Sequence, residues 1–505
     1  MLRKIRVALA VVLWACITAM FLDFTGTLNH WFGWMAKIQF LPAILALNVI
    51  VIVALVAITL IAGRVYCSVI CPAGVFQDII SHLSARRKGK KKRFRYRKPS
   101  SILRYSVLII FILTIIAGFT AIASLIAPYS AYGRMVHTIF GPVAIWINNL
   151  FAPFAEESGS YLLFTRDIWI RSIPVFIVAV VTLIVLVVLS WRSGRIYCNT
   201  ICPVGTFLGL LSRFAWLRPV INTDKCINCG SCGRRCKSEC IDMKSHSIDL
   251  SRCVACMDCI DECSQGAISF THRPHPIVST AKTNDKTAGK TSAVTTDTSR
   301  REFIIAGAAF AGSSLLAKAQ KTTDGGLAVI EDKKVSKRKV KLVPPGAQSL
   351  KNFTQHCTAC QLCVSKCPNE VLRPSMSIEG FMQPEMDFER GYCRPECTDC
   401  SSVCPTGAIK PISWEEKCAT QIGHAVWIPQ NCVVNTDGVE CGNCARHCLV
   451  GAITMVPSDP SNPESPKIPA VDETRCIGCG ACENLCPARP FSAIYVESHD
   501  VHRLV

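Results

Sequence analysis

An α-helical membrane domain joined to small α+β, cysteine-rich domains is the fold class that the sequence predicts. Three observations predict it. Half of the 505 residues are hydrophobic and 18% are charged, against about 25% charged in an average soluble chain. Long apolar stretches, each able to span a hydrocarbon core of about 30 Å as a helix, crowd the first 191 residues. Finally, 31 cysteines recur at short, repeated spacings. The apolar half and an aromatic share of 8% exclude a globally disordered chain. A formal charge of +19 invites a nucleic-acid partner, but cysteine at this density does not fit a DNA-binding face, and none is expected.

Four core transmembrane helices are predicted, over 5–22, 40–62, 102–127 and 173–191. Arg3, Lys4 and Arg6 precede the first, as in a secretory signal, but Phe21-Leu22-Asp23-Phe24 is no cleavage site. The run from Arg86 to Lys98 is strongly basic. The positive-inside rule therefore places the N-terminus and residues 63–101 in the cytoplasm, and residues 23–39 and 128–172 outside. Anionic lipid contact accounts for the basic run.

The membrane domain, residues 1–215, contains a duplication. Gly63-Arg64-Val65-Tyr66-Cys67-Ser68-Val69-Ile70-Cys71-Pro72-Ala73-Gly74-Val75-Phe76 matches Gly194-Arg195-Ile196-Tyr197-Cys198-Asn199-Thr200-Ile201-Cys202-Pro203-Val204-Gly205-Thr206-Phe207 at nine of fourteen positions. Each copy follows an apolar span and ends in Cys-x3-Cys-Pro. Cysteines four apart share one helix face, and Pro72 and Pro203 can start the next helix. Cys67, Cys71, Cys198 and Cys202 are thus candidate cofactor ligands, enough for one iron–sulfur cluster or another thiophilic metal. A redox-active dithiol and buried structural thiols are the competing readings.

Residues 216–271 carry C-x2-C-x2-C-x3-C twice: Cys226, Cys229, Cys232 and Cys236, then Cys253, Cys256, Cys259 and Cys263. In this bacterial ferredoxin spacing three thiolates hold one cluster and the fourth serves its partner. Cys226, Cys229, Cys232 and Cys263 then bind one [4Fe–4S] cluster, and Cys253, Cys256, Cys259 and Cys236 the other. Cys240 is a nearby substitute for Cys236. Lys237 and Ser264 replace the usual following prolines.

Residues 321–505 carry four more blocks: Cys357, Cys360, Cys363 and Cys367; Cys393, Cys397, Cys400 and Cys404; Cys432, Cys441, Cys444 and Cys448; Cys476, Cys479, Cys482 and Cys486. Sixteen thiolates make four further [4Fe–4S] clusters, six in all. Adjacent blocks exchange their fourth cysteines, or the first pairs with the last and the middle two with each other. Zinc ribbons use two C-x2-C knuckles, and disulfide frameworks lack such strict repetition. Cys16, Cys240 and Cys418 are left over; the first and last read as core thiols.

A polar linker, 272–298, leads to Ser299-Arg300-Arg301-Glu302-Phe303 and a mildly apolar stretch ending in Ala317-Lys318-Ala319. Residues 299–320 resemble a twin-arginine (Tat) export signal, which would place the last domain outside the cytoplasm. If retained, the segment adds a fifth span.

With these motifs in hand, the first 270 residues resemble the NapH-type membrane ferredoxins, and residues 299–505 resemble the NapG/MauM-type exported ferredoxins. The resemblance implies two modules of a quinol dehydrogenase, fused in one multi-pass protein of the bacterial cytoplasmic membrane. Its first ferredoxin would be cytoplasmic and its last periplasmic. It implies electron transfer from the membrane quinone pool to a periplasmic redox enzyme or cytochrome, typically of nitrate-reductase type, with the Tat translocase as a partner during biogenesis. The alternative is a redox accessory that matures or reductively activates a metalloenzyme. Asp23, His30 and His137 lie near the expected outer side and read as ordinary interfacial polar residues. A hydrocarbon core of about 30 Å is expected to part the two sets of clusters, so a membrane-embedded carrier is expected to bridge them.

Overall fold

The computed structural model describes residues 2–23, 26–87, 94–157, 163–272, 332–377 and 380–504, with 323–324 and 328–329. Residues 1–273 and 333–505 form one compact unit and 274–332 a second. Within the second, Thr323–Asp324 pairs antiparallel with Ala328–Val329. The twin-arginine segment and residues 273–298 of the linker lie outside the described residues.

Among the described residues, three helices are long and apolar enough to cross a membrane: Leu2–Leu22, Pro128–Glu157 and Ile173–Ser193. The first and last coincide with expected spans. The other two expected spans are broken. Phe40–Leu45 and Val49–Ala62 are separated at Leu47, which has φ 51°, and Asn48 caps the second piece by accepting the Val51 amide. Ser101–Ile116 and Thr120–Ile126 are parted at Gly118, φ 81°. Hydropathy averages over such interruptions because it weighs composition and ignores caps and left-handed residues.

The helix Pro128–Glu157 replaces what the sequence suggested was an external connection. It starts at a proline, which suits a first helical position, and includes a π-helical turn, Val136–Phe140. Its polar residues give it a modest hydropathy, yet they face protein: Tyr129, Ser130 and Arg134 are buried. Elsewhere the helices turn apolar residues outward. Ile50 is 83% exposed and Ile102 86%, while Arg64 and Arg195 are fully buried. That is the reverse of a water-soluble bundle and suits a lipid surround.

Two cysteine-rich domains pack on this body. In the first, Leu217–Ile221 pairs antiparallel with Ile268–His272, bringing the domain's two ends together around the shorter ladder Ile241–Asp242 with Ser247–Ile248. In the C-terminal domain, Thr420–Trp427 pairs with Ile494–Leu504, from Ile494 opposite Trp427, and brackets the last two cysteine blocks. Leu372–Pro374 with Pro384–Met386 and Ile453–Pro457 with Lys467–Val471 complete it. One continuous core runs through all three parts, joining Tyr66, Cys67, Cys198, Cys256, Tyr129, Cys357 and Cys360.

Candidate iron–sulfur centres

The four regular cysteine loops share one backbone. In each C-x2-C-x2-C stretch the third and fifth residues take left-handed φ: Asn228 and Gly230, Ala255 and Met257, Ala359 and Gln361, Gly478 and Gly480. Non-glycine residues there cost about 1–3 kcal/mol each, so the five non-glycine positions of these loops hold strain that only a fixed loop shape explains. Alternating backbone signs turn successive amides toward a common point, an arrangement suited to an anionic, thiolate-bound centre.

The first domain gathers its cysteines in two sets. Cys226, Cys229, Cys232 and Cys263 line one small cavity with Ile221 and Ile268, and Cys236, Cys240, Cys253, Cys256 and Cys259 line another with Val254 and Ile248. Cys240 Sγ lies 3.5 Å from Cys236 Sγ. Its hydrogen bonds hold the Cys236 and Cys253 thiols below their ordinary values and raise its own. Both Cys236 and Cys240 thus stand at this second set of thiols.

In the C-terminal domain the fourth cysteines cross between neighbouring blocks. Burial pushes the Cys363 thiol up, and the charges of Cys357, Cys360 and Cys404 push it further. Cys367 instead acts on Cys393, Cys397 and Cys400. Cys448 acts on Cys476, Cys479 and Cys482, and Cys486 on Cys444. Cys441 and Cys432 pack in the same core cluster as this last pair. Of the two exchange patterns, the structure thus forms the one between adjacent blocks.

The duplicated motif comes together at the heart of the molecule. Val65–Val69 and Ile196–Thr200 are matching short helices, and Pro72 and Pro203 each open the next one. Cys67, Cys71, Cys198 and Cys202 are all buried and act electrostatically on one another. The arginines are exchanged: Arg64 Nη2 donates to the Cys198 carbonyl at 3.1 Å, and Arg195 Nη1 to the Cys67 carbonyl at 2.5 Å. Gly74 and Gly205 make room, since a Cβ at either would stand 2.3 Å from the same carbonyls. Gln77 Nε2 donates to Cys198 Sγ at 3.2 Å. Sequence reasoning missed Arg64, Arg195 and Gln77, although both arginines recur at one position of the repeat.

This site meets a cysteine-rich domain on each flank. Arg64 Nη1 donates to the Ser251 carbonyl at 3.1 Å, beside Cys253, and the Arg195 amide to the Lys237 carbonyl at 2.9 Å. Asp78 is paired with Arg195 at 2.7 Å, Lys237 at 3.1 Å and Arg6 at 3.2 Å. On the other flank, Tyr129 is within electrostatic reach of Tyr66, Cys360 and Cys404. A side chain at Gly133 would stand 2.6 Å from the Cys360 carbonyl. Protein, including the Cys-x3-Cys-Pro thiols, thus packs continuously from one cysteine-rich domain to the other. Asp23 is paired with Lys366, His30 is exposed, and His137 lies in the π-helical turn.

Among the described residues no three His, Cys, Asp or Glu side chains converge on a single-ion site. A cubane spreads its four thiolates over separate iron corners, so wider sets lined by apolar residues fit it. Where bound, such clusters supply one-electron redox chemistry. The chain provides burial, thiolates and amide dipoles to receive them.

Residues 44–91 and 175–223 each match the 4Fe-4S binding domain family, and each match holds one Cys-x3-Cys-Pro. Residues 439–489 match the 4Fe-4S dicluster domain family. Fold and motifs thus define an iron–sulfur electron-transfer protein of ferredoxin type. The chain belongs to the MauM ferredoxin-type family: it is 33% identical over 194 residues to the methylamine utilization ferredoxin-type protein MauM of Methylorubrum extorquens, 37% of this chain and 84% of that protein. It is 34% identical over 151 residues to MauM of Methylobacillus flagellatus, covering 29% of this chain and 63% of the relative, just under two thirds of its length. It is 28% identical over 159 residues to the ferredoxin-type protein NapF of Escherichia coli, 31% of this chain and 86% of NapF. No solved structure matches the chain.

Proposed function

We propose that this protein is a membrane-bound electron conduit that oxidises quinol and passes electrons to an extracytoplasmic redox enzyme or cytochrome, as in a nitrate-reductase-type respiratory chain. It holds six [4Fe–4S] clusters in its ferredoxin domains and a seventh thiolate-bound centre on Cys67, Cys71, Cys198 and Cys202. The observation that carries the reading is the single core joining Cys256, the four Cys-x3-Cys-Pro thiols, Tyr66, Tyr129 and Cys360. It supports a file of one-electron sites with no break at the membrane. From the Cys393 block the file continues to Cys479, whose carbonyl accepts the Cys393 amide at 2.9 Å. The helices' exposed apolar faces support a location in the cytoplasmic membrane, and the twin-arginine segment a crossing that leaves the C-terminal domain outside.

A second reading, a redox accessory that reductively activates a metalloenzyme, is favoured by the contact of Arg64 with Ser251, which lets electrons enter from the first ferredoxin domain. Anaerobic membranes treated with a menaquinol analogue separate the two. Iron–sulfur EPR signals that appear with quinol support quinol oxidation. Clusters that stay oxidised with quinol but reduce with a low-potential cytoplasmic donor support the accessory.

A further inference from the structure

A cavity of ≈ 70 Å³ opens where the helices Leu2–Leu22 and Pro128–Glu157 meet the loop between Cys360 and Cys363. Its lining mixes apolar side chains with polar and charged ones. Gln361, 1% exposed, has φ 64° where two sister loops have Gly230 and Gly480. A strained backbone carrying a long polar side chain points to a use for that side chain. Gln361 Oε1 accepts from Thr138 at 3.2 Å, and Nε2 has no partner among the described residues. Ser172 Oγ, at the same cavity, has none either. His137 enters the wall from the π-helical turn Val136–Phe140, an irregularity that re-aims side chains and recurs at functional sites.

The remaining walls mix the apolar Ile145 and Val175 with Trp169, whose Nε1 donates to Glu370 at 2.9 Å, and with the charged Arg171 and Glu370. Just beyond, Trp146 is 59% and Ile173 63% exposed on the apolar faces of their helices. A ligand suited to this space is a ring with polar oxygens, entering from lipid.

We propose that this cavity binds the head group of a quinone or hydroquinone, with Gln361 Nε2 and Ser172 Oγ as donors to ring oxygens and His137 as the proton acceptor. The inference rests on the quinol-oxidising reading and gives it a site. In the step assigned to His137, the ring O–H bond breaks, an imidazole N–H bond forms, and the electron pair stays on the ring oxygen. Because Gln361 lies between Cys360 and Cys363, the ring sits beside that set of thiols.

The test uses the full-length, iron-loaded protein in detergent, titrated with 2-heptyl-4-hydroxyquinoline N-oxide, whose fluorescence is quenched when bound. Wild type is expected to bind, and Gln361→Leu and His137→Leu to weaken binding at least tenfold with unchanged iron content. Ile145→Trp, which fills the cavity from the helix side, should do the same and decides the matter if Gln361→Leu loses iron. No binding by wild type would overturn the quinol reading itself. Wild-type binding that all three variants retain would overturn this site alone.

Discussion

Lys366 Nζ lies 2.5 Å from Oδ2 of Asp23 and 2.6 Å from the Asp23 carbonyl, and both side chains are nearly inaccessible. The pair fastens the C-terminal domain to the end of the helix Leu2–Leu22. At the other end of that helix, Arg3 meets Asp258 at 2.9 Å and Asp261 at 3.2 Å in the first cysteine-rich domain. A helix of 21 residues is about 30 Å long, so one rigid rod sets the separation of the two domains.

Lys366→Met is expected to loosen the C-terminal domain by about 3–5 kcal/mol, because it leaves Asp23 buried beside a neutral side chain. Lys366→Met with Asp23→Leu should recover much of the loss. Hydrogen exchange at residues 362–367 measures both; equal protection in wild type and the single variant would remove the strut from the account.

The membrane thiols should bind iron as a set. Cys71→Ala or Cys202→Ala is expected to lower iron by about four atoms per chain, one cubane, while Cys16→Ala and Cys418→Ala leave it unchanged. Iron and sulfide assays on purified protein check this, and an unaltered iron count in both ligand variants would return these cysteines to a structural role.

Gly205→Ala tests the exchanged arginines without touching a thiol. Its Cβ would stand 2.3 Å from the Cys198 carbonyl and 2.8 Å from Arg64 Nη2. Overpacking of this kind costs about 1–3 kcal/mol. The membrane centre should be lost or become labile to chelators, with the ferredoxin-type EPR signals retained.

Acid should detach the first domain through Asp78. Arg195, Lys237 and Arg6 hold its carboxyl well below the usual carboxylate range despite burial. A carboxylate with a depressed folded-state value stabilises fully above its unfolded value, about 3.9, and loses that contribution as pH falls below it. Wild-type thermal stability should therefore fall steeply below about pH 4, while Asp78→Asn is less stable at pH 7 and falls less. Parallel melting curves for the two proteins down to pH 2 would contradict this.

Much of the chemistry was legible because it is written at short range. Cysteine spacing fixes a loop such as Cys357 to Cys363 locally, and the duplication stands out in any self-comparison. What escaped was set by distant partners. The choice of Cys404 over Cys367 depends on how two blocks pack, and the roles of Arg64 and Arg195 exist only once the repeats meet. Pro128–Glu157 was misjudged as a connection because Arg134 and Ser130 lower its hydropathy while facing protein. Gly118 and Asn48 broke two expected spans through backbone geometry that an apolar average cannot register.

The reciprocal hold of Arg64 on Cys198 and Arg195 on Cys67 has the form of a symmetric interface. Contacts in which position i of one half meets position j of the other, and j meets i, are those of two identical subunits about a two-fold axis. The two halves of the domain thus meet as two copies of one subunit would in a homodimer. Elsewhere the halves differ: Asp78 and Gly209 occupy the same place in the two. One pairs with Arg195, and at the other a Cβ would stand 2.5 Å from the Ser251 carbonyl. The two halves of a symmetric thiol cradle thus hold the same ferredoxin domain differently, one by close backbone contact at Ser251 and the other by a buried ion pair with Lys237.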